Sequence, residues 1–396
     1  MKLLLNIAGI AGVLAAAWVL SWNRRHIPWK TVVRGLAVQF VIAVLLVKLP
    51  VGRVIVSGIS QLVTAVINCG QAGLDFVFGS LNDGTAGYIF IVQTLGNIIF
   101  VSALVSVLYH VGILGVVVRV IGRIVGRLMG TTEVESFVAV ANMFLGQTDS
   151  PILVSRYLRD LTDSEVLVIL VSGMGSMSVS ILGGYNALGI PMETLLIASA
   201  MVPIGSILIA KMILPQTEEV GAVRAVQMDR KGGNVIDALA EGASTGMTMV
   251  LAIAAGLVGV IGMISVIDLI LSVVNISLKD IFGWLFAPFA FLMGLEGEEI
   301  LLEGRLLGTK LIANEFIAFQ DLGAVIGSLE ERTALVCALS LCGFANVSSI
   351  GICVGGIGVL CPEKRSTLAR LVVRAMLGGV LVSLLSAMIV GLITLL

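Results

Sequence analysis

Two acidic residues, Asp149 and Glu315, stand in stretches that are otherwise too apolar for them. Asp149 falls in LGQTDSP (145–151), between an apolar run that ends at Phe144 and another that starts at Ile152. Glu315 falls in GTKLIANEFIAF (308–319). Neutral donors and acceptors accompany them: Gln147 and Thr148 beside the first, Asn314 beside the second, and Asn346, Ser348 and Ser349 further along. Carboxylates accept well from sugar hydroxyls. An amide presents a donor and an acceptor together, which suits the edge of a nucleobase. Phe344 could pack against an apolar or aromatic ring face. No cluster of Arg or Lys is present to neutralise an anion. Lys310, five residues before Glu315, is the one cation close by, and it could serve to balance a carboxylate. The chemistry suits a small uncharged ligand rich in hydroxyls and amides. Sugar and nucleoside both fit, and these residues alone do not choose.

The solvent around these groups decides how much they mean. The chain has 396 residues, of which 58% are hydrophobic and 12% charged. Its mean hydropathy is +1.09. Soluble domains carry about 25% charged residues. Residues 3–22 and 375–396 contain no charge at all, and each is long enough to cross a bilayer as a helix, which takes about 20 residues. The chain reads as an all-α polytopic membrane protein. Its first apolar run is followed by Asn23-Arg24-Arg25-His26, not by a small-residue cleavage site, so it reads as a retained helix.

Several function classes drop out. A net charge of −1 gives no reason to expect a nucleic-acid partner. Cys69, Cys337, Cys342, Cys353 and Cys361 form no CxxC pair, and His26 and His110 are the only histidines, so spacing assembles no zinc site. No GxxxxGK[ST] loop is present, so no ATP-hydrolysing motor is expected.

Apolar spans predict about eight transmembrane helices, near 3–22, 30–50, 88–110, 164–188, 192–214, 245–275, 333–360 and 373–396. Residues 114–128 place Arg119, Arg123 and Arg127 four apart, which reads as an amphipathic helix on the membrane surface. Arg24, Arg25, Lys30 and Arg34 follow the first span, and the three arginines of 114–128 follow the third. Arg224, Arg230 and Lys231 follow the fifth, and Lys364, Arg365, Arg370 and Arg374 follow the seventh. With eight crossings these clusters share one side, which should be cytoplasmic, and both termini lie outside.

Residues 133–162 and 296–326 resist assignment as crossings, because each carries polar groups at its middle. Each is predicted to be a re-entrant hairpin, entering the bilayer and returning as two half-helices. Irregular backbone at that depth must be surrounded by protein or line a cavity. Each is followed by a span interrupted with Gly and Ser, SGMGSMSVSILGGYNALG (172–189) and CGFANVSSIGICVGG (342–356). The order span, amphipathic piece, hairpin, broken span, span thus occurs twice, over 88–215 and 245–396. An N-terminal scaffold (1–87) precedes the repeats and a cytoplasmic linker (216–244) joins them. By the charge count the hairpins enter from opposite sides. That is an inverted repeat, an architecture of secondary transporters with the ligand site at the midplane. An ionisable group in the membrane costs about 3 kcal/mol or more unless it is paired, hydrated or bound. A carboxylate at each of two hairpin turns therefore points to function rather than to helix adhesion.

These motifs resemble a known family. GTKLIANEFIAF (308–319) is similar to the signature of the concentrative nucleoside transporters, GQTDSP (146–151) to their Gly-Gln-Thr-Glu hairpin tip, and GFANVSSIG (343–351) to their Phe-Ala-Asn-Phe-Ser-Ser stretch. FVFGSL (76–81) and GWLFAP (283–288) also fit, and the likeness covers essentially the whole chain. The resemblance implies a homotrimer with eight spans, two hairpins and three interfacial helices per protomer. It places Gln147, Thr148, Asp149 and Ile181 around the base, and Glu315, Asn346 and Ser349 around the ribose with Phe344 beside them. Asp149 stands where Glu is common, and Ile317 where Val is usual. The shorter Asp149 carboxylate could reach a base through a bridging water.

The resemblance also implies a sodium site at the Asn142 and Ser176 side chains with the Leu145 and Met177 carbonyls. An all-oxygen set suits a hard cation. Both side chains are present, which favours Na⁺ over H⁺ as the coupling ion. The expectation is a cation-coupled nucleoside importer working by alternating access in a bacterial-type inner membrane, with no cofactor and no covalent chemistry. A proton-coupled nucleoside or sugar symporter, a passive channel and an intramembrane carboxylate hydrolase are the rival readings.

Overall fold

The computed structural model describes residues 1–85, 87–218 and 233–396. Arg224, Arg230 and Lys231, and the middle of the expected 216–244 linker, lie outside the described residues. Among the described residues every regular element is helical. The N-terminal part comprises α1 (Lys2–Val19), α2 (Trp29–Ala43), α3 (Pro50–Cys69) and α4 (Gln71–Phe78). Next come α5 (Phe90–Gln93), α6 (Asn97–His110), α7 (Ile113–Met129), α8 (Glu133–Asp149), α9 (Asp163–Gly175), α10 (Val179–Ala187) and α11 (Met192–Ile213). The last part holds α12 (Val235–Leu271), α13 (Leu278–Leu292), α14 (Glu298–Ile312), α15 (Glu315–Val325), α16 (Glu331–Leu341), α17 (Val347–Leu360) and α18 (Arg365–Leu395).

Among the described residues, nine helical runs are long and apolar enough to cross a membrane. The run Glu133–Asp160 is the first segment expected to be a hairpin. Residues 333–360, expected as one crossing, are split into α16 and α17. One element departs from the sequence expectation: α3 is a 20-residue helix where no span was assigned. Its buried positions are Gly52, Val56, Ser60 and Ile67, a narrow stripe, while Val51, Val54, Ile55, Ile59 and Leu62 are exposed. Lys48 and Arg53 at its start obscured the apolar run, and Pro50 at its first turn starts it.

In chain order α6, α7, α8, the α9–α10 pair and α11 form one set of helices, and α12, α13, the α14–α15 pair, the α16–α17 pair and α18 form a second. The centre is built from the broken and terminal helices of each set. The most apolar windows of α9–α10, α11 and α18 are 94%, 83% and 89% buried, whereas that of α12 is 11% buried. An apolar helix this exposed, and about 55 Å long at 1.5 Å per residue, suits a hydrophobic surrounding rather than water. α7 buries Leu114, Val118, Val125 and Met129 and leaves Arg123 and Arg127 exposed, as a surface helix should.

Glycines set the closest approaches. At Gly242 a Cβ would come within 2.7 Å of Ala103 Cα, and at Gly246 within 2.7 Å of Ile99 Cα, so α12 lies backbone to backbone on α6. This small-xxx-small spacing is the common device for membrane helices, where dispersion rather than water exclusion holds the pair.

The base of the first hairpin is clamped. Thr132 and Glu135 form a capping box at α8, and Thr162 and Glu165 form another at α9. Each satisfies the free N–H groups of its helix start. Thr132 Oγ1 donates to Glu165 Oε1 at 3.1 Å, which joins the two boxes. Lys211 of α11 pairs with the buried Glu135 carboxylate and donates to Ser164 Oγ at 2.9 Å.

Candidate functional site

α8 is broken at Gly146, whose φ is 82°. A Cβ there would be 3.1 Å from Ser178 Cβ and 3.6 Å from the Phe344 ring, so glycine meets both a left-handed backbone and a close approach. LGQTDSP spans this break, and Ser150–Asp160 continues as a 3₁₀ arm with Pro151 in its first turn.

Two unwound segments lie beside this break. α9 ends at Gly175 and α10 begins at Val179, leaving Ser176-Met177-Ser178 extended or irregular. α16 ends at Leu341 and α17 begins at Val347. Phe344 N donates to Ser176 O at 3.2 Å, joining the two breaks. Gly343, at φ 112°, packs against Gly175 O, where a Cβ would lie 2.6 Å away. Ser176 Oγ lies 3.2 Å from both Asn142 O and Gly173 O, to which it donates. Asn142 Nδ2 donates to Ser172 Oγ at 2.9 Å, while Asn142 Oδ1 is fully buried without a hydrogen-bond partner.

A buried polar chain then links both hairpins to the second broken helix. Gln147 Nε2 donates to Ser349 Oγ at 3.1 Å, and Cys353 Sγ lies 3.4 Å from Gln147 Oε1, to which it donates. Asn346 caps α17 by accepting from Ser349 N at 2.9 Å, and its Nδ2 donates to Glu315 Oε2 at 3.1 Å. Tyr185 OH donates to the other oxygen, Glu315 Oε1, at 2.9 Å. Asn314 caps α15 through Ile317 N at 3.1 Å. Glu315 is thus the first residue of a capped helix, where the dipole favours negative charge.

Of the residues expected at the site, Gln147, Glu315, Asn346 and Ser349 belong to this chain of bonds. Phe344, Ile181 and Met177 are buried beside the breaks, and a Cβ added at Gly356 would lie 4.0 Å from the Thr148 methyl. Asp149 is placed elsewhere. With Leu145, Ser180 and His110 it lines a cavity of about 290 Å³ between the hairpin, α6 and α12. Tyr185 and Cys353 escaped the sequence reading. Tyr185 is fully buried, its ring 4.7 Å from Phe316 and 4.6 Å from Phe319. A lone Tyr within an interrupted apolar helix was the signal available. Lys310, left open between roles, is buried against Ser340 O (2.8 Å), Cys342 O (3.3 Å) and Ser383 Oγ (2.8 Å).

The arrangement offers amides, hydroxyls and one carboxylate, aligned across the meeting of two hairpins. The orphaned Oδ1 of Asn142, whose backbone carbonyl accepts from the Ser176 hydroxyl, is an oxygen that a hard cation could take up.

Comparison with known proteins agrees with this architecture. Residues 194–391 match the family model described as Na+ dependent nucleoside transporter C-terminus, and residues 8–81 match its N-terminus. Residues 91–192 match a gate model described as nucleoside recognition. The nucleoside permease NupC of Helicobacter pylori is 35% identical, covering 98% of this chain and 97% of that protein. The Sodium/nucleoside cotransporter 1 of Homo sapiens is 32% identical over 98% of this chain and 64% of its own length. A structure of the transporter CNTnw in an inward-facing substrate-bound state superposes with a TM-score of 0.95 at 36% identity, covering all of this chain and 99% of that one. An outward-facing variant of CNTnw gives the same TM-score at 35% identity, over 100% and 99% of the two chains. Matched from Ala8 to Gly391 by these descriptions and end to end by such relatives, the chain belongs to the Na⁺-dependent nucleoside transporter family.

Proposed function

We propose that the protein imports nucleosides across a cell (inner) membrane, coupled to Na⁺, by alternating access. The observation that carries this reading is the buried chain Gln147–Ser349–Asn346–Glu315–Tyr185. Its amides and hydroxyls match a base edge, and its one carboxylate matches ribose hydroxyls. Gln147, Thr148 and Ile181 face the base and Glu315, Asn346 and Ser349 the ribose, with Phe344 against a ring face. Asp149 reaches the base only through water, in keeping with its place along the neighbouring cavity. Na⁺ is held by Asn142 Oδ1 and Ser176 Oγ with the carbonyls of Leu145 and Met177. The orphaned buried oxygen of Asn142 supports that assignment.

In this reading the ion orders the tip around Gly146 and thereby completes the nucleoside site. Coupling follows because the nucleoside binds the ion-loaded state better. The membrane arrangement is eight crossings with re-entrant hairpins at 133–162 and 296–326, and α3, α7 and α13 along the interfaces. The exposed apolar faces of α3 and α12 suit assembly into a homotrimer as well as contact with lipid. The deciding experiment is labelled uridine uptake into proteoliposomes under an imposed Na⁺ gradient or an imposed proton gradient. Accumulation with Na⁺ alone supports the whole reading. Accumulation with protons alone retains the nucleoside and removes the sodium site. Absence of accumulation for uridine, adenosine and guanosine under either gradient rejects the nucleoside reading.

A further inference from the structure

Both hairpins meet the C-terminal end of a broken helix one turn before they reverse, and they do so with different residues. In the first half, Asn142 lies four residues before the turn at Gly146 and contacts the end of α9. In the second half, Lys310 lies in the last turn of α14, just before the break at Ala313-Asn314, and contacts the end of α16. The C-terminal end of a half-helix exposes unpaired carbonyls and the negative end of its dipole. Such ends are where transporters of broken-helix design bind coupling cations. At α9 the hairpin supplies a neutral amide with one oxygen left unpartnered. At α16 it supplies a positive charge.

We propose that Lys310 is a tethered cation, its ammonium standing at the end of α16 where a dissolved ion stands at the end of α9. The proposal rests on the sodium site read at Asn142 and Ser176. The coordination around Lys310 carries it. The side chain is 1% exposed. Its three protons meet three uncharged oxygens, the carbonyls of Ser340 and Cys342 and the hydroxyl of Ser383 on α18. Backbone carbonyls and a hydroxyl at a helix end form the all-oxygen set that a hard monovalent ion takes. The Ser340 hydroxyl is turned away and donates to Glu303, which leaves its carbonyl to the ammonium. The second hairpin is therefore closed onto its broken helix permanently, and only the first waits for an ion. Lys310 is a positioning residue in this scheme. It fixes the arm that presents Glu315 five residues later, and it leaves dissolved Na⁺ a single station.

The test uses purified full-length protein in detergent, with melting temperature and uridine affinity as readouts. Wild type, Lys310→Ala and Lys310→Arg are compared with and without methylammonium chloride, with tetramethylammonium as the control for ionic strength. Lys310→Ala should lose at least about tenfold in uridine affinity and melt lower. Methylammonium should restore both saturably, tetramethylammonium should not, and wild type and Lys310→Arg should ignore both salts. Lys310→Ala that binds uridine as wild type does overturns the proposal, as does impaired Lys310→Ala that methylammonium leaves unchanged. If Lys310→Ala cannot be purified alone, its recovery in methylammonium supports the tethered cation. Equal loss of the Ala and Arg variants in every salt overturns it. Wild type that binds no uridine with or without Na⁺ counts against the nucleoside reading, while the methylammonium response of the melting temperature still tests Lys310.

Discussion

The Tyr185 hydroxyl donates to Glu315 Oε1 at 2.9 Å, so a residue of the first broken helix fixes the carboxylate of the second hairpin. The two halves of the molecule are joined at this bond. The ring is held by Phe316 and Phe319 on the same helix as Glu315, so the hydroxyl has little freedom to leave.

Tyr185→Phe keeps that packing and removes only the donor. A hydrogen bond to a charged group is worth about 1.5–3 kcal/mol, so uridine affinity should fall about 10- to 100-fold. Binding measured by calorimetry decides it, with melting temperature as the check on packing. If the carboxylate position sets the ribose contact, Glu315→Gln should fall at least as far. Affinity unchanged in Tyr185→Phe would show that Asn346 alone is enough to hold Glu315.

Asn142→Ala removes a fully buried amide oxygen that lacks a hydrogen-bond partner. The helix keeps its cap from Thr132, more than two turns away, so the hairpin should still fold. Uridine uptake in proteoliposomes should lose its Na⁺ dependence, and the residual rate should be the same with choline. A variant with full Na⁺-driven accumulation would move the ion away from Asn142.

Much of this was readable in the sequence because the bilayer makes polar groups costly. The breaks at Ser176–Ser178 and Cys342–Asn346 announced themselves as Gly and Ser where a span should be continuous. The pairing of partners was not readable. Nothing in the order of residues says that Gln147 meets Ser349, 202 positions away, or that Lys310 meets the end of α16 and not a carboxylate. α3 was missed for a different reason: its buried stripe is small residues and a few aliphatics, flanked by Lys48 and Arg53, so length and charge disguised it. Asp149 was grouped with its neighbours by adjacency, whereas successive residues after the Gly146 turn point to different sides.

That divergence gives a contrast between two neighbours. Gln147 is bonded into the buried chain and Asp149 lines the cavity toward α6 and α12. Gln147→Ala should weaken uridine about tenfold or more, since it leaves Ser349 and Cys353 without their partner in a buried place. Asp149→Asn should change affinity by less than about threefold, because a water-mediated contact survives the loss of charge. Competition binding with labelled uridine measures both in one format. The reverse order of effects would put the Asp149 carboxylate on the base directly.

The packing of α12 on α6 supplies a prediction with its own control. At Gly246 a Cβ would sit 2.7 Å from Ile99 Cα and 3.0 Å from Ser102 Cβ, whereas at Gly259, on the same helix, no heavy atom lies within 4 Å. Backbone cannot yield as a flexible side chain can. Gly246→Leu must therefore part the two helices, at a cost of about 1–3 kcal/mol or more. Gly259→Leu meets no heavy atom of its own protomer and gains helix propensity of up to about 1 kcal/mol. Thermal unfolding in detergent should show Gly246→Leu melting below wild type and Gly259→Leu at or above it. Because α6 and α12 also wall the cavity that Asp149 lines, the separated helices should speed or slow uridine release as well as lower stability. Equal melting of the two variants would mean that the close approach at Gly246 contributes nothing to holding α12 in place.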